Sequence, residues 1–218
     1  MLKIENTMTA GWEPAVRGMR NPLNSWARSD SSWDGGEYRI GKNDLALMQK
    51  LAAAGNDHGK FLRMITVICD ITAPLYWWKE MDTYKVGTVA NSCSTMHKIA
   101  AKEFTRDDFS CEHLTDDEEC LIELPGKDTY ATVGGVLGLT ISALNTCRTL
   151  YNQTGDKKYW HQMIQLLPSS YNQRRTWAAN YAVLRNIYRA RKDHKLDEWH
   201  TFCNWIAELP YAKELIIE

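Results

Sequence analysis

The pattern of apolar and polar positions along the chain predicts few strands and many helices. Residues 61–71 (FLRMITVICDI) alternate, with Ile65, Val67, Cys69 and Ile71 on one face, which is typical of a strand buried on one side. Apolar spacing of three and four predicts helices over five other segments: 42–55, 73–87, the stretch of 130–156 that ends near Gly155, 157–168, and one beginning at 196. Residues 21–41 and 109–128 are rich in polar and turn-forming residues and predict loops. The elements indicate one α+β domain over 1–218, with a small mixed or antiparallel sheet and several long helices.

Residues 167–195 predict one long helix with an unusual apolar face. At about 100° per residue, that face gathers Trp177, Asn180, Leu184, Ile187 and Arg191, with Asn186 at its edge. Arg185, Arg189 and Lys192 lie on the opposite face, as is typical of a solvated surface. A buried, unpartnered guanidinium costs on the order of several kcal/mol. Arg191 therefore needs an acidic partner, an anion or a route to water, and both a structural ion pair and a ligand site satisfy that need.

Composition narrows the class of protein without selecting a function. The 218 residues are 44% hydrophobic and 24% charged, as in an ordinary globular protein. The formal net charge of −1 gives no reason to expect binding to DNA or to an anionic membrane. Nine tryptophans favour a heavily packed core, a subunit interface or stacking surfaces. No apolar run approaches the roughly 20 residues of a membrane span, and the N-terminal residues lack a signal-peptide core. A cytoplasmic location is expected.

The chemistry-bearing residues form few recognisable motifs. The six cysteines include no C-x-x-C pair, so we expect them reduced and buried. Cys111, His113 and Cys120 match no common zinc spacing, and no metal site is predicted. Cys93 and His97 could form a thiol–imidazole pair, although this spacing is common by chance. Glycine-rich phosphate loops of the usual forms, a G-x-S-x-G elbow and an H-E-x-x-H helix are absent from the sequence.

Residues 167–191 resemble the C-terminal motif of the flavin-dependent thymidylate synthases. In that family a Leu-Pro pair precedes a helix of the form N-x-x-x-L-x-x-F-x-x-L-R, or close to it. Leu167-Pro168 is followed in that register, without a gap, by Asn180, Leu184, Asn186, Ile187 and Arg191. The resemblance implies that Asn180 and Asn186 contact the flavin. It also implies that Arg191 holds the uracil nucleotide and helps to ionise its ring.

The resemblance extends more weakly over residues 55 to 205. His58 in GNDHGKF stands before the predicted strand, as a Gly-His segment does in the family, and is a candidate cofactor contact. Where the family has R-H-R-x-x-S, this chain has Thr83, Tyr84, Lys85 and Thr88, so only Lys85 keeps the charge. Residues 92–97 (SCSTMH) replace S-x-R-Y and lack its arginine and tyrosine, and the family's arginine just before the Leu-Pro pair is also absent.

The resemblance implies a specific activity and assembly. Family members methylate dUMP to dTMP using methylenetetrahydrofolate, with FAD relaying hydride from NADPH, and they are tetramers with sites between subunits. FAD, a uracil nucleotide and a homotetramer are therefore the expected cofactor, ligand and assembly. The flavin would carry the redox chemistry while the protein positions the reactants, so no protein nucleophile is required.

The missing arginines favour an alternative within the same fold. Arginine binds phosphate through a planar fork that lysine cannot reproduce, and a fold survives such losses more readily than an activity does. A non-catalytic or repurposed homologue that binds a nucleotide or a protein partner is therefore the second hypothesis. The third is a nucleic-acid binder using Arg174, Arg175, Arg185, Arg189 and Lys192, against which the near-neutral net charge argues.

Overall fold

The computed structural model describes residues 2–117, 121–124, 126 and 129–218, and its chain falls into two compact units. The first unit contains residues 72–81 and 92–174, and the second contains residues 2–71, 82–91 and 175–218. Each unit is described by itself below. The organisation of residues 1–218 as a single domain stays a prediction.

The main sheet has four antiparallel strands in the order β1-β4-β8-β5. These strands are β1 (Lys3–Ala10), β4 (Thr66–Pro74), β5 (Val89–Ser92) and β8 (Asn172–Asn180). Two short antiparallel ribbons accompany it, one formed by β2 (Ser32–Asp34) and β3 (Glu37–Arg39), the other by β6 (Ile122–Glu123) and β7 (Tyr130–Ala131). The predicted α+β class with a small sheet is confirmed.

Strand β4 shows the predicted alternation but begins later than expected. Val67, Cys69, Ile71 and Ala73 are buried, and the residues between them are less so. Residues Gly59–Arg63 form a 3₁₀ turn instead of the start of the strand. Phe61 and Leu62 are adjacent and both buried, which a strand with a single buried face does not permit.

The first unit is built around two packed helices. Its helices are α3 (Leu75–Met81), α4 (Thr95–Lys98), α5 (Val133–Thr154) and α6 (Lys157–Leu166), and α5 packs against α6. The Thr132 side chain caps α5, and Gly155 ends the helix in the left-handed conformation (φ 68°), as predicted. Its core contains Ile99, Phe104, Phe109, Leu137, Leu144 and Met163.

The second unit contains the remaining helices. These are α1 (Trp12–Arg20), α2 (Lys42–Ala53), α7 (Tyr181–Arg191) and α8 (Asp197–Ala207), followed by a π-helical turn at Lys213–Ile217. Helix α7 packs against α8, against the π-helical turn and against the 3₁₀ turn at 59–63. Trp177, Trp199 and Phe202 join edge to face in the core, with ring centroids 5.8 and 5.9 Å apart. The predicted helices over 42–55 and from 196 are confirmed.

The prediction of one long helix through Trp177 and Asn180 is wrong. Residues 172–180 form β8, in which Trp177 and Ala179 are buried with period two, and α7 begins only at Tyr181. Asn180 is the helix N-cap, and its side-chain oxygen accepts a hydrogen bond from Val183 N at 3.1 Å. The apparent stripe arose because a strand and a helix follow one another without a break.

Two surface assignments also need correction. Residues 21–41 contain 3₁₀ turns at Asn21–Leu23 and Trp26–Arg28 and the β2–β3 ribbon, rather than a single long loop. Arg185 is half-buried instead of fully solvated, and it donates from Nη1 to the Ala52 carbonyl at 2.7 Å. Burial, together with repulsion by Arg189, lowers the pKa of Arg185.

Five of the six cysteines lie among the described residues, and all five are free thiols. Cys69 and Cys203 are buried, whereas Cys93 is exposed and Cys111 and Cys147 are intermediate, so the expectation of general burial is wrong. Burial raises the pKa of Cys69 to about 12 and that of Cys203 to about 11. Cys120 lies outside the described residues.

Among the residues that the structure describes, no three His, Cys, Asp or Glu side chains are grouped as metal ligands. Within those residues, no helix combines the length and the apolar character that crossing a bilayer requires.

Candidate functional site

Arg191 lies at the last position of α7, and two aromatic side chains of the second unit hold its guanidinium. Its Nε donates to the Tyr84 hydroxyl at 2.9 Å, and its guanidinium carbon lies 4.7 Å from the ring centroid of the buried Trp199. Contact within about 6 Å of an aromatic face stabilises a cation. Arg191 itself is half-buried, so its planar set of donors is fixed in direction and still reaches the surface.

The local sequence explains why these groups meet. Residues 192–196 form a short connection between α7 and α8. Arg191 is the last residue of α7 and Trp199 lies in the first turn of α8, so the connection brings them close together. His194 supports this turn because its Nδ1 accepts from Leu196 N at 3.2 Å, and its ring lies edge to face with Trp199. The guanidinium at the end of α7 is also favoured by the helix dipole.

The loop formed by residues 82–88 contributes Tyr84 and follows the length of α7. The Tyr84 ring lies edge to face with Trp199, at 6.2 Å between centroids, and the Tyr84 carbonyl accepts from the Thr88 hydroxyl. At the other end of the loop, Gly87 lies beside Asn180 and Val183 at the start of α7. The loop therefore contacts both ends of the helix that carries Asn180, Asn186 and Arg191.

Gly87→Ala is expected to lower the free energy of unfolding by about 1–3 kcal/mol, because Gly87 has φ 78° and an added Cβ would lie 3.1 Å from Asn180 Nδ2 and Val183 Cγ2. Urea unfolding followed by circular dichroism measures the change. The control is Gly138→Ala within α5, where a Cβ meets nothing within 4 Å and should stabilise the helix by about 0.4–1 kcal/mol. Equal changes in the two variants would contradict the tight packing at Gly87.

The other residues predicted for the site lie on α7, on the loop 82–88 or at the 3₁₀ turn 59–63. We call α7 together with the loop 82–88 the helix–loop frame. Lys85 is exposed in the loop 82–88, and Asn186 is exposed on α7. His58 is exposed at the start of the 3₁₀ turn 59–63, and its backbone N donates to the Gly55 carbonyl at 3.2 Å. The structure thus brings Lys85 and Arg191 onto one helix–loop frame. Ligand roles for His58, Lys85, Asn180 and Asn186 stay predictions.

Three contributors to this frame were missed in the sequence. In the sequence, Tyr84 stands where the family has a histidine, and Trp199 is one residue of a predicted helix. Arg175 pairs with Asp82 at the start of the loop, with 2.7 Å between Nη1 and Oδ1, which fixes the loop to strand β8. Apolar spacing carries no signal for these contacts, since Tyr84 and Arg191 are 107 residues apart.

A separate cavity of about 490 Å³ lies in the first unit. Among its lining residues are the exposed thiol of Cys93 and the cationic side chains Lys98, Lys102 and Arg174. The backbone of Cys93 is fixed here, because its N donates to the Arg174 carbonyl at 2.9 Å and its carbonyl accepts from Gln173 Nε2 at 2.9 Å. Lys102 is paired with Asp108, and Asp107 also lines the cavity, so the wall carries charges of both signs.

Solved structures share the fold of this chain, although its sequence matches no family model. No protein-family model and no curated protein matches the sequence. Among solved structures, thymidylate synthase X from Helicobacter pylori, described with FAD and dUMP, superposes with a TM-score of 0.67 over 99% of this chain and 97% of its own, at 17% identity. The chain has the fold of the flavin-dependent thymidylate synthases.

A second solved protein supports the same fold. PolB from Streptomyces cacaoi, a UMP/dUMP methylase described with 5-Br dUMP, superposes with a TM-score of 0.61 over 100% of this chain and 95% of its own, at 15% identity. The resemblance to flavin-dependent thymidylate synthases is therefore confirmed at the level of fold. Arg191 lies at the end of α7, in the segment that carried the most specific part of the resemblance, whereas Tyr84 and Trp199 come from the loop 82–88 and from α8.

Proposed function

We propose that the protein binds a uracil nucleotide, with Arg191 as the residue that recognises it. The observation that carries the proposal is the guanidinium held between the Tyr84 hydroxyl and the Trp199 ring. A planar donor group fixed in this way suits the carbonyl oxygens of a uracil ring or the oxygens of a phosphate, because both accept parallel N–H bonds. The fold supports the proposal, since the two solved proteins of this fold are described with uracil nucleotides.

The fixed orientation of Arg191 is what makes the cluster suitable for binding. Ordering a long side chain costs up to about 2 kcal/mol of conformational free energy, and the Trp199 and Tyr84 contacts have already ordered it in the folded chain. The orientation of the guanidinium is therefore set before a ligand binds. A positively charged fork beside the ring also favours the ionised form of uracil, as the resemblance implies for the arginine at this position.

The residues of the loop 82–88 do not fit FAD in the way an R-H-R motif would. Thr83 and Tyr84 bring no positive charge, and the Tyr84 hydroxyl is engaged with Arg191. Arg175, which also contacts this loop, is paired with Asp82. Lys85 alone supplies a cation, and it is exposed. These residues therefore support a nucleotide-binding homologue better than a flavin enzyme.

We expect FAD to bind more weakly than an R-H-R site would hold it, by roughly two to four powers of ten. Each lost charge-assisted hydrogen bond is worth about 1.5–3 kcal/mol, and two are lost at Thr83 and Tyr84. Visible absorbance of the purified protein, followed by FAD titration, measures this. A protein that stays yellow through gel filtration would contradict the expectation and would require other residues to bind the phosphates.

A second candidate is an active thymidylate synthase that methylates dUMP to dTMP with methylenetetrahydrofolate, FAD and NADPH. The observation in its favour is the fold shared over almost the whole chain with a protein described with FAD and dUMP. In that case Asn180, Asn186, His58 and Lys85 are the residues proposed to contact the flavin, and a homotetramer with sites between subunits is the proposed assembly. Formation of dTMP with all cofactors supplied supports this candidate.

Stabilisation by nucleotides tests the proposal without assuming catalysis. A ligand that binds only the folded chain raises the midpoint of thermal unfolding with its concentration. We expect dUMP to raise this midpoint and dAMP to leave it unchanged at the same concentration. An equal response to both nucleotides, or to neither, would contradict uracil recognition. Formation of dTMP separates the enzyme from the binding protein once dUMP binding is established.

A further inference from the structure

A second cavity, of about 750 Å³, lies in the second unit and takes no part in the Arg191 cluster. Four aromatic side chains contribute to its lining: Trp12, Trp33, Tyr38 and Tyr211. They form two edge-to-face pairs, Trp12 with Tyr211 at 5.3 Å between ring centroids and Trp33 with Tyr38 at 5.5 Å. We name this set of four rings and their cavity the aromatic cavity.

The polar edges of these rings are engaged within the protein. The Trp12 indole donates to Thr9 Oγ1 at 3.2 Å, and the Trp33 indole donates to Glu13 Oε2 at 3.2 Å. The Tyr211 hydroxyl accepts from Ile40 N at 3.2 Å. What these aromatic residues offer to a ligand is therefore mainly their faces. An aromatic face attracts a cation because its electron density is concentrated there.

The charged side chains around the aromatic cavity also favour a cationic ligand. Glu13 and Glu37 contribute carboxylates to its lining, and Glu13 also forms a long surface ion pair with Arg17, with 3.7 Å between Oε1 and Nη1. The lining also contains Arg39, but this side chain forms an ion pair with Asp34 at 2.9 Å. Burial raises the pKa of Tyr38, and repulsion by Asp44 and Glu13 acts in the same direction. The Glu13 carboxylate lies close to the rings, since it accepts the Trp33 indole hydrogen bond at 3.2 Å.

The backbone holds the aromatic cavity in shape. Tyr211 adopts a left-handed conformation (φ 54°) that a non-glycine residue rarely takes. The hydrogen bond from Ile40 to its hydroxyl joins it to the end of the β2–β3 ribbon, and Gly36 (φ 88°) forms the tight turn of that ribbon. Trp33 lies on the same ribbon and is 62% exposed, so a ligand can reach its ring from solvent.

We propose that the aromatic cavity binds a methylated ammonium group. Such a cation carries few or no N–H donors, so it needs ring faces and nearby carboxylates rather than hydrogen-bond acceptors placed at fixed angles. The site is independent of the uracil-nucleotide proposal, since none of the lining residues belongs to the Arg191 cluster.

Calorimetric titration with choline tests the proposal, with 3,3-dimethylbutan-1-ol as the neutral ligand of the same shape. We expect choline to bind at least about tenfold more tightly than the neutral alcohol, as a cation–π contact with a carboxylate nearby implies. Equal binding of the two, or binding of neither at millimolar concentration, would overturn the proposal.

Variants of the intact chain locate the binding. Trp33→Ala should weaken choline binding at least about tenfold, and Glu13→Gln should weaken it in the same direction. Trp26→Ala is the matched control, because Trp26 is 49% exposed and lies outside the cavity. An unchanged affinity in Trp33→Ala, with an unchanged midpoint of unfolding, would overturn the assignment. Arg191→Ala should retain choline binding, which separates failure here from failure of the nucleotide site.

Discussion

Asp44→Asn is expected to lower the free energy of unfolding by about 3–5 kcal/mol, because it removes one partner of a fully buried ion pair. Arg20 and Asp44 are 5% and 0% exposed, and both Nε and Nη2 of Arg20 lie 2.6 Å from Asp44 Oδ1. The variant keeps the volume of the side chain and leaves the Arg20 guanidinium buried without its counter-charge. Urea unfolding measures the loss.

The second oxygen of Asp44 makes this residue the anchor of the chain before α2. Its Oδ2 accepts from the hydroxyls of Ser29 and Ser31, each at 2.6 Å, and from the backbone N of Asp30 and Ser31, each at 3.1 Å. An asparagine amide cannot accept at both positions. Asp34→Asn is the control, because its ion pair with Arg39 is solvent-exposed and worth about 0–1 kcal/mol. A loss below about 1 kcal/mol in Asp44→Asn would contradict the anchoring role.

The pH dependence of stability gives a second readout of Asp44. Burial works to raise its pKa, but hydrogen bonds from Ser29, Ser31 and Arg20 outweigh burial and hold the pKa below its ordinary value of 3.8. A depressed pKa in the folded state contributes stability that is present above the unfolded value and is lost as the pH falls through the folded value. The difference in stability between wild type and Asp44→Asn should therefore shrink below pH 3.8. A constant difference there would contradict this account.

Arg191→Lys is expected to weaken dUMP binding almost as much as Arg191→Ala, by about 1.5–3 kcal/mol or more than tenfold in Kd. Lysine keeps the charge but loses the plane that stacks on Trp199 and the Nε–H that donates to Tyr84. The expected effect thus depends on geometry as well as on charge. Calorimetric titration with dUMP measures it.

Arg189→Ala is the matched control for Arg191, because Arg189 is exposed on the same helix two residues away. It should change dUMP affinity little. Equal, small effects at positions 189 and 191 would leave Arg191 as a structural residue. Unfolding of Arg191→Ala, together with no dUMP binding by the wild type, would favour a scaffold repurposed for another partner.

The fold class was predictable because burial in this chain follows local periods. Alternation at Val67, Cys69 and Ile71 predicted β4, apolar spacing predicted α2, and Gly155 predicted the end of α5. The segment 172–191 could not be divided correctly, since Trp177 and Asn180 fit a helical period by coincidence. Asn180 is the last residue of β8 and the N-cap of α7, and its side chain accepts a hydrogen bond from the backbone of the helix.

The candidate site was less predictable than the fold because its contacts are distant in sequence. Arg191 could be selected from its position on a helix, but Tyr84 is 107 residues away and Trp199 lies on the next helix. The same limit applies to Asp44, whose partners come from a segment that reads as an ordinary polar loop. Local patterns identify which residues are unusual, and only the folded chain identifies what they contact.

Calorimetric titration of the wild-type protein with dUMP and with dCMP tests the central claim most directly. Uracil offers two carbonyl oxygens and can lose its N3 proton beside a guanidinium, whereas cytosine carries an amino group in place of O4. We expect saturable binding of dUMP and at least about tenfold weaker binding of dCMP. Equal affinities for the two nucleotides, or no heat of binding with dUMP, would contradict recognition of uracil by Arg191.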